Sequence, residues 1–361
     1  MGIENIGNTC WMNACLQLFI RLPESTNIVL HFGRYMKLKK MEDEKVLKNL
    51  KARMSETQLD KERTNFANIN IAFRLLYEML TDFPNFDTNL RSFRGKFNDM
   101  FEDRNQHDPS ELAVRFFLEF EPFISLTKFS YVQTWIEADN EEEAILKSNI
   151  LFQNKDLQEN IDRFVASNKD NQSLLENEIG GYKSVRGQKE NIFQMAPEPG
   201  KDLPDGLDAY FTELSSFEET EITEEMELFG QTKSRFKNIK VVVSFPKLML
   251  IAITRTQFDS HVRKNSKLVN MQRNIELHGN NTYNMFGFIV HLGGGGSGHY
   301  ISYVHSPEKK GWYCYDDETV SFYEDDKYDD MLVETRALRE SKNDRIQDNR
   351  VFYIYRKMET S

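Results

Sequence analysis

The sequence predicts an α+β fold in which a helical part precedes a largely antiparallel sheet. Before about residue 125, apolar residues recur at three- and four-residue intervals, which is the spacing of a buried or amphipathic helix. In the last third, short runs of β-branched and aromatic residues are separated by turn residues, as in antiparallel sheets. The 361 residues, 39% of them hydrophobic, suffice for one large domain or two smaller ones.

Helical spacing starts after Cys10 and returns in 71–80 and 112–120. Residues 37–65 between these stretches are dense in charged side chains, and we interpret them as a solvated helix pair or a mobile insertion. Further on, Pro109 at a first helical position predicts another helix start.

Beyond residue 123 the pattern changes toward strands. Phe129 to Trp135 and Ile145 to Phe152 are expected to be extended, and 153–165 to form a short amphipathic helix. Residues 166–206 contain several glycines and prolines and are expected to form a long surface loop or a disordered insertion. The last third is expected to supply the strands 239–244, 247–254, 283–291, 300–305, 312–316 and 351–355.

The charge and the cysteines narrow the class of protein. A net charge of -11 argues against a nucleic-acid partner and suits a basic one. No apolar run approaches the roughly 20 residues that a membrane span needs. Cys10, Cys15 and Cys314 have no paired spacing, which indicates an intracellular, reducing compartment. No CxxC motif is present, so we expect no cysteine-rich zinc site. We also expect no cofactor.

Cys10 lies at or next to the start of an apolar helix. Asn8 and Thr9 before it can accept hydrogen bonds from the unpaired N–H groups of a helix start. The positive end of the helix dipole would stabilise a thiolate there, which is the nucleophilic form of cysteine. The alternative is a buried structural cysteine.

Residues 298–317 read as a β-hairpin in which a histidine and an aspartate face each other. With a turn centred on residues 307 and 308, Tyr303 lies opposite Trp312 and His299 lies opposite Asp316. Opposed side chains share a face with Cβ atoms about 4.5–5.5 Å apart, which is hydrogen-bonding reach for this pair. A register shift of one residue would bring Asp317 to His299 instead.

A cysteine at a helix start, a histidine and an orienting carboxylate together follow the logic of a papain-type triad. Separately, His299 could be a packed strand residue and Asp316 a turn residue. The remaining histidines have no such partner in the sequence pattern and are interpreted as structural or surface residues.

These residues lie in blocks that resemble the ubiquitin-specific proteases, a branch of the papain-like cysteine proteases. The blocks span nearly the whole chain in the family's order. They are a cysteine box at 2–13, a glutamine–aspartate box at 106–112, a strand at 245–259, a histidine box at 283–304 with 312–320, and a closing strand at 351–355.

The resemblance implies a right-hand architecture with a helical thumb, a β palm and β fingers. Residues 1–122 would form the thumb and 123–361 the palm and fingers, with the fingers at about 130–240. It implies a deubiquitinating cysteine protease that cleaves after the C-terminal glycine of ubiquitin, with ubiquitin and ubiquitinated proteins as partners. Because the cysteine box directly follows Met1, we expect no signal peptide and a chain trimmed from a longer protein. We further expect a monomeric catalytic domain.

By the same resemblance, Cys10 is the nucleophile, His299 the general base and later the acid, and Asp316 the group that orients the imidazole. Asn5 would donate to the oxyanion together with the Cys10 N–H, and Asp317 would support that site. The alternative for Asn5 is a residue that caps its own loop.

The resemblance assigns five residues to binding of the ubiquitin tail, which is extended and carries two arginines. They are Gln106, Asp108, Glu111, Phe258 and Tyr300. The carboxylates of Asp108 and Glu111 lie three residues apart at a helix start, hence on one face, where they could pair with the arginines. The alternative for Asp108 is a plain helix N-cap.

The chain departs from the family pattern in three places. The four-cysteine zinc site of many members is missing, so no metal is expected. Thr256 replaces the usual aromatic residue after Arg255, while Phe258 keeps the next one. The glycine-rich run Gly293–Ser297 is either an engineered linker or a natural flexible loop.

Two other functions remain open at this point. The chain could be a non-catalytic relative that binds ubiquitin, although Cys10, His299 and Asp316 are all present. It could also perform the same chemistry on a ubiquitin-like modifier.

Overall fold

The structure is a computed structural model. It describes residues 2–25, 106–114, 118, 121–138, 140–175, 182–195, 218–219, 235–258, 262–264, 272–277, 281–294, 298–327 and 350–358. The predictions for 37–65 and 71–80, and part of the glycine-rich run, lie outside the described residues.

Helices and strands in the described part confirm the predicted α+β class. The α-helices are α1 (Cys10–Ile20), α2 (Pro109–Leu112), α3 (Glu121–Thr127), α4 (Glu141–Phe152) and α5 (Lys155–Ala166). The first strands are β1 (Phe129–Glu137), β2 (Asn171–Leu175), β3 (Tyr182–Glu190), β4 (Ile192–Met195), β5 (Glu218–Glu219), β6 (Arg235–Ser244) and β7 (Leu248–Ile253). The others are β8 (Thr256–Phe258), β9 (Val262–Lys264), β10 (Asn274–Leu277), β11 (Asn281–Gly293), β12 (Gly298–Ser306), β13 (Gly311–Asp316), β14 (Thr319–Glu324) and β15 (Arg350–Lys357).

The chain divides into two compact units. The first unit comprises Met1–Ser125, Ile253–Ser266 and Met285–Ile354. The second comprises Leu126–Ala252, Lys267–Asn284 and Tyr355–Ser361. These bounds differ from those of the expected thumb and of the expected palm with fingers, and that division stays a prediction.

The first unit is built on helix α1, all of whose residues are buried. The helix packs against β12 and β13, and the strands lie in the order β14, β13, β12, β11, β15. Phe19 contacts the rings of Phe123 and Phe352, with centroid distances of 6.0 and 6.3 Å. Gly287 in β11 lies so close to Leu18 and to the Tyr303 carbonyl that a Cβ would not fit. Close packing on the sheet thus fixes helix α1, which begins with Cys10.

The second unit contains an antiparallel sheet with the strand order β2, β3, β1, β6, β5. Helices α4 and α5 bury apolar side chains against it. One core cluster consists of Val132, Leu151, Leu157, Ile161, Phe164, Leu174 and Val185. Gly187 in β3 lies against the Phe164 ring, where a Cβ would collide with the ring. This cluster gives the second unit a hydrophobic core of its own.

Most predicted elements with described residues are confirmed, namely the strand at 129–135, the helix at 153–165 and the six later strands. The strand predicted at Ile145 to Phe152 is wrong, because these residues belong to helix α4. Asn140 caps this helix by accepting a hydrogen bond from the Glu143 N–H at 3.0 Å. Ile145 and Ile150 are exposed, so the helix lacks the apolar spacing that would have revealed it.

The loop predicted at 166–206 is wrong where the structure describes it, since β2, β3 and β4 lie there. In the polar sequence of β3, Val185 is buried and the next residue, Arg186, is exposed. A strand with so few apolar residues gives a weak sequence signal, and its pairing with β1 holds it in place.

Candidate active site

Cys10 is the first residue of helix α1, as predicted, and it is buried. The chain reaches it through a tight loop in which Gly7 and Asn8 have positive φ angles of 97° and 53°. The side-chain oxygen of Asn5 accepts hydrogen bonds from the N–H groups of Gly7, at 3.0 Å, and Thr9, at 3.3 Å. Asn5 therefore closes the loop that presents Cys10, the role given above as its alternative.

The expected side-chain cap from Thr9 is wrong. Thr9 is the N-cap residue of helix α1 but makes no capping hydrogen bond with its side chain. Its hydroxyl oxygen instead accepts a hydrogen bond from the Ile6 N–H at 3.2 Å and donates one to Asn5 at 3.2 Å. Thr9 therefore stabilises the loop, and its side chain accepts no hydrogen bond from the first N–H groups of the helix.

His299 on β12 and Asp316 on β13 form the predicted hydrogen-bonded pair, with Nε2 2.5 Å from Oδ1. The predicted register is nevertheless wrong, because Tyr303 lies opposite Cys314 and not opposite Trp312. The strands are shifted by two residues, which keeps every side chain on its predicted face. His299 therefore reaches Asp316 diagonally across the ladder.

The turn explains this shift. It contains the four residues 307–310, and its last residue, Lys310, adopts a positive φ of 51°. The prediction assumed a turn centred on the first two of these residues. The longer turn adds an even number of residues to the hairpin. The cross-strand partners therefore differ from the predicted ones, whereas each side chain stays on its predicted face of the sheet.

The pKa of His299 depends on both Cys10 and Asp316. Its hydrogen bond with Cys10 raises the pKa of the imidazole, partial burial opposes this effect, and the hydrogen bond and charge of Asp316 raise the pKa further, to about 9. The imidazole is therefore protonated at neutral pH. Because Nε2 is taken by Asp316, the nitrogen left for the sulfur is Nδ1.

Asp317 follows β13 in a turn with a positive φ of 50°. Its carboxylate accepts hydrogen bonds from the side-chain amides of Asn5 and Asn13, each at 2.8 Å. Its Oδ2 lies 4.0 Å from the His299 Nε2, farther than the Asp316 carboxylate. Asp317 is thus bonded to the loop before Cys10, and its expected support of the oxyanion site stays a prediction.

Gln106 lies between Cys10 and the start of β12. Its amide nitrogen donates to the Gly298 carbonyl at 2.6 Å and to the Cys10 sulfur at 3.4 Å. Its amide oxygen accepts from the Gly298 N–H at 3.0 Å. The side chain therefore contacts the Cys10 sulfur and the residue before His299.

Asp108 is the N-cap of helix α2, and its carboxylate accepts from the Ser110 N–H at 2.8 Å. Burial raises the pKa of this carboxyl group. Glu111 is exposed, and one of its carboxylate oxygens lies 3.3 Å from the His107 Nδ1. The expected cap is confirmed, and the expected contacts of both carboxylates with a substrate tail stay predictions.

Tyr300 and Phe258 are the other two residues expected to bind the substrate. Tyr300 is buried on β12, stacks on the His291 ring with centroids 4.4 Å apart, and has a phenol whose pKa burial raises. Phe258 ends the short strand β8, and its side chain lies outside the described part. Their substrate contacts stay predictions.

A possible metal-ligand group coincides with the same site. The ligand atoms of His299, Asp316 and Asp317 lie within 4.8 Å of one another, and no other such group occurs among the described residues. In the same part of the chain, no helix is long and apolar enough to cross a membrane.

Sequence reasoning missed Asn13. This residue lies one turn after Cys10 on helix α1 and is buried. Its amide nitrogen donates to the carbonyls of Ile3, at 3.3 Å, and Glu4, at 3.2 Å, as well as to Asp317. An amide side chain within an otherwise apolar run of the helix was the signal that could have revealed it.

The chain matches a known protein family, and its structure resembles solved structures. The family model described as ubiquitin carboxyl-terminal hydrolase matches residues 1–345. The structure resembles a SAGA DUB module of Ubp8, Sgf11, Sus1 and Sgf73 bound to monoubiquitin, with a TM-score of 0.57 and 13% identity over 100% of this chain and 69% of that chain. It also resembles such a module bound to ubiquitin aldehyde, with a TM-score of 0.55 and 13% identity over 100% of this chain and 70% of that one. No protein among the curated sequences matches the chain.

A cysteine at a helix start beside a hydrogen-bonded histidine–aspartate pair is an arrangement that cysteine hydrolases use. The chain belongs to the ubiquitin carboxyl-terminal hydrolase family. It is a deubiquitinating cysteine protease with the papain-like fold of the ubiquitin-specific protease catalytic domains.

Proposed function

We propose that the chain hydrolyses the amide bond after the C-terminal glycine of ubiquitin through a Cys10–His299–Asp316 triad. One observation carries the proposal: the His299 imidazole is hydrogen-bonded to the Asp316 carboxylate, with Nε2 2.5 Å from Oδ1, and Cys10 is the neighbour that most raises the pKa of this imidazole. The side chains come from a helix start and two adjacent strands, so their approach depends on the fold.

The first half of the reaction forms a thioester. The Cys10 sulfur, as thiolate, attacks the carbonyl carbon of the terminal glycine while His299 carries the proton. That proton passes to the leaving amine as the carbon–nitrogen bond breaks. Asp316 keeps the imidazole oriented and stabilises its charge.

The second half releases ubiquitin. A water molecule gives a proton to the now neutral His299 and adds to the thioester carbonyl. The carbon–sulfur bond then breaks, which restores the thiolate beside the imidazolium and frees the C-terminal carboxylic acid of ubiquitin, whose proton passes to solvent.

The oxyanion that forms in both halves needs N–H donors. Asn5 has two amide hydrogens, and its bond to Asp317 uses one of them. The other is available for the oxyanion together with the Cys10 N–H, which lies at the helix start.

Ubiquitin and its conjugates are the proposed partners, since the family is defined by this substrate and solved structures of similar fold contain ubiquitin or ubiquitin aldehyde. A reducing, intracellular compartment is proposed because all three cysteines are free thiols.

The test is hydrolysis of a fluorogenic amide on the C-terminus of ubiquitin. We expect turnover by the unaltered chain, none by Cys10→Ala, and ubiquitin binding by both. Cys15→Ala is the matched control because Cys15 is buried in the same helix and lies outside the proposed triad. Turnover by Cys10→Ala would refute the assignment of the nucleophile.

A panel of tail-reactive probes checks the substrate. Labelling by the ubiquitin probe alone is expected. Preferential labelling by the probe of a ubiquitin-like modifier would show that this modifier, and not ubiquitin, is the substrate. A folded chain that binds ubiquitin but reacts with no probe would be a non-catalytic relative.

A further inference from the structure

The carboxamide of Gln106 forms a paired hydrogen bond with one peptide residue. It accepts from the Gly298 N–H at 3.0 Å and donates to the Gly298 carbonyl at 2.6 Å. Paired bonds of this kind fix both the position and the orientation of a backbone segment, as in an antiparallel ladder. The segment fixed here is the first residue of β12, directly before His299.

The backbone of Gly298 is also confined from the other strand. It lies opposite Gly293 of β11, and a Cβ on Gly298 would collide with the His291 ring and the Leu292 carbonyl. The glycine is therefore held between β11 and the Gln106 side chain. Only a residue without a side chain fits between them.

The third contact of Gln106 is with the sulfur of Cys10, the proposed nucleophile. Its amide nitrogen has two hydrogens, and the Cys10 sulfur at 3.4 Å and the Gly298 carbonyl are the acceptors for them. One side chain thus contacts both the sulfur and the strand that carries the imidazole. With both hydrogens engaged, the carboxamide has no further donor for a substrate.

We propose that Gln106 is a positioning residue that couples the nucleophile to the base. It holds the start of β12 so that the His299 imidazole faces the Cys10 sulfur. This role rests on the proposed triad and replaces the expected contact of Gln106 with the ubiquitin tail.

Two substitutions test the coupling. Gln106→Glu keeps the side-chain length and the acceptor for the Gly298 N–H but loses both donors. Gln106→Met keeps only the length. For both variants we expect kcat on the ubiquitin amide to fall about tenfold or more while KM changes by less than about twofold, because the reacting groups are misaligned and the tail contacts are unchanged.

A second readout needs no ubiquitin. Alkylation of Cys10 by iodoacetamide depends on the pairing of the sulfur with the imidazole, and it should slow in both variants. If the unaltered chain fails to cleave ubiquitin yet the alkylation effect is present, the proposed substrate fails and the coupling stands. Unchanged alkylation in both variants would overturn the coupling.

The pH dependence of Cys10 alkylation distinguishes the proposed coupling role of Gln106 from a merely structural one. A protonated carboxylic acid can donate to the Gly298 carbonyl and accept from its N–H, which restores the paired hydrogen bond. The alkylation rate of Gln106→Glu relative to Gln106→Met should therefore rise as the pH falls toward about 4–5, the ordinary pKa range of Glu. A constant ratio over pH 4.5–8 would contradict the proposal.

The matched control is Gln188 in the second unit. Its carboxamide also makes side-chain hydrogen bonds, accepting from the Tyr131 hydroxyl at 2.5 Å and donating to Gln133 at 3.3 Å. Gln188→Met and Gln188→Glu should leave kcat and alkylation unchanged. A higher KM with unchanged kcat and alkylation in the Gln106 variants would show a tail contact and refute the positioning role.

Discussion

The Asn13 side chain donates a 2.8 Å hydrogen bond to the Asp317 carboxylate and so joins helix α1 to the turn after β13. The other carboxylate oxygen accepts from Asn5, and the Asp317 carbonyl accepts from the Ile3 N–H at 2.8 Å. Asn13 also donates to the carbonyls of Ile3 and Glu4. The segment that carries Asn5 is therefore bonded on one side to the helix and on the other to the hairpin that carries Asp316.

Replacing Asn13 should weaken both the fold and the reaction. Asn13→Leu keeps the branched shape but leaves two backbone carbonyls and a carboxylate without this donor, which costs about 1–3 kcal/mol of the free energy of unfolding. We also expect a lower kcat because Asn5 and Asp317 lose their shared support. Urea denaturation and turnover of the ubiquitin amide measure the two effects.

The control for this substitution is Asn160→Leu in the second unit. Asn160 donates one hydrogen bond to a backbone carbonyl, that of Leu174, at 2.9 Å. Its replacement should cost less stability and leave kcat unchanged. An Asn13→Leu variant as active as the unaltered chain would show that the contact with Asp317 has no part in the reaction.

The pH dependence of the reaction should report the His299–Asp316 pair. The hydrogen bond with Cys10 and the pair with Asp316 raise the pKa of His299 to about 9. The leaving amine needs the imidazolium proton, so kcat/KM should fall as the pH rises through about 9. Asp316→Asn removes a contribution that raises this pKa, so the basic limb should move to lower pH and the rate should fall.

Stability should follow the same titration. A raised pKa in the folded state means that His299 stabilises the fold below its ordinary pKa and that this stabilisation is lost as the pH rises from about 6.5 to about 9. The loss should be smaller in Asp316→Asn. The Asp317 carboxylate lies 4.0 Å from the His299 Nε2, so the basic limb should move less in Asp317→Asn than in Asp316→Asn. A larger shift in Asp317→Asn would assign the orienting role to Asp317.

The sequence could predict the His299–Asp316 pair because it depends on the alternation of faces along two adjacent strands. A shift of two residues left this alternation intact, although it changed every cross-strand partner. The start of helix α1 was equally predictable, since the apolar spacing after Cys10 is a local signal.

The contacts of Gln106 and Asn13 could not be predicted in the same way. Gln106 meets Gly298 across 192 positions of the chain, and Asn13 meets Asp317 across 304. Such pairs depend on tertiary packing, for which spacing along the sequence gives no measure. Helix α4 was missed for another reason, since exposed apolar residues such as Leu146 obscure its periodicity.

A chelator should leave both activity and melting temperature unchanged. Although His299, Asp316 and Asp317 could in principle ligate a metal, the His299 Nε2 and the Asp316 Oδ1 are 2.5 Å apart and hydrogen-bonded to each other. A zinc ion bound about 2.0–2.2 Å from each would hold them farther apart. Activity and thermal unfolding with and without EDTA test this, and a fall of several degrees would reveal a metal site elsewhere in the chain.

Asp108 has two roles to separate, one as the observed cap of helix α2 and one as the expected partner of an arginine in the ubiquitin tail. The cap is a 2.8 Å hydrogen bond from the Ser110 N–H. Loss of such a cap costs about 1 kcal/mol of stability. A tail contact would instead appear in KM, and losing a charge-assisted bond in a partly buried groove should raise KM about tenfold or more, or roughly 1.4 kcal/mol.

Asp108→Ala removes both roles, whereas Asp108→Ser keeps a good cap and loses only the charge. If Asp108 binds the tail, both variants should show the raised KM with a smaller change in kcat, and only Asp108→Ala should have a lower melting temperature. If it is a cap alone, Asp108→Ser should match the unaltered chain in KM and in melting temperature. Steady-state kinetics and thermal unfolding of the two variants decide between the roles, and an unchanged KM in Asp108→Ser would refute the tail contact.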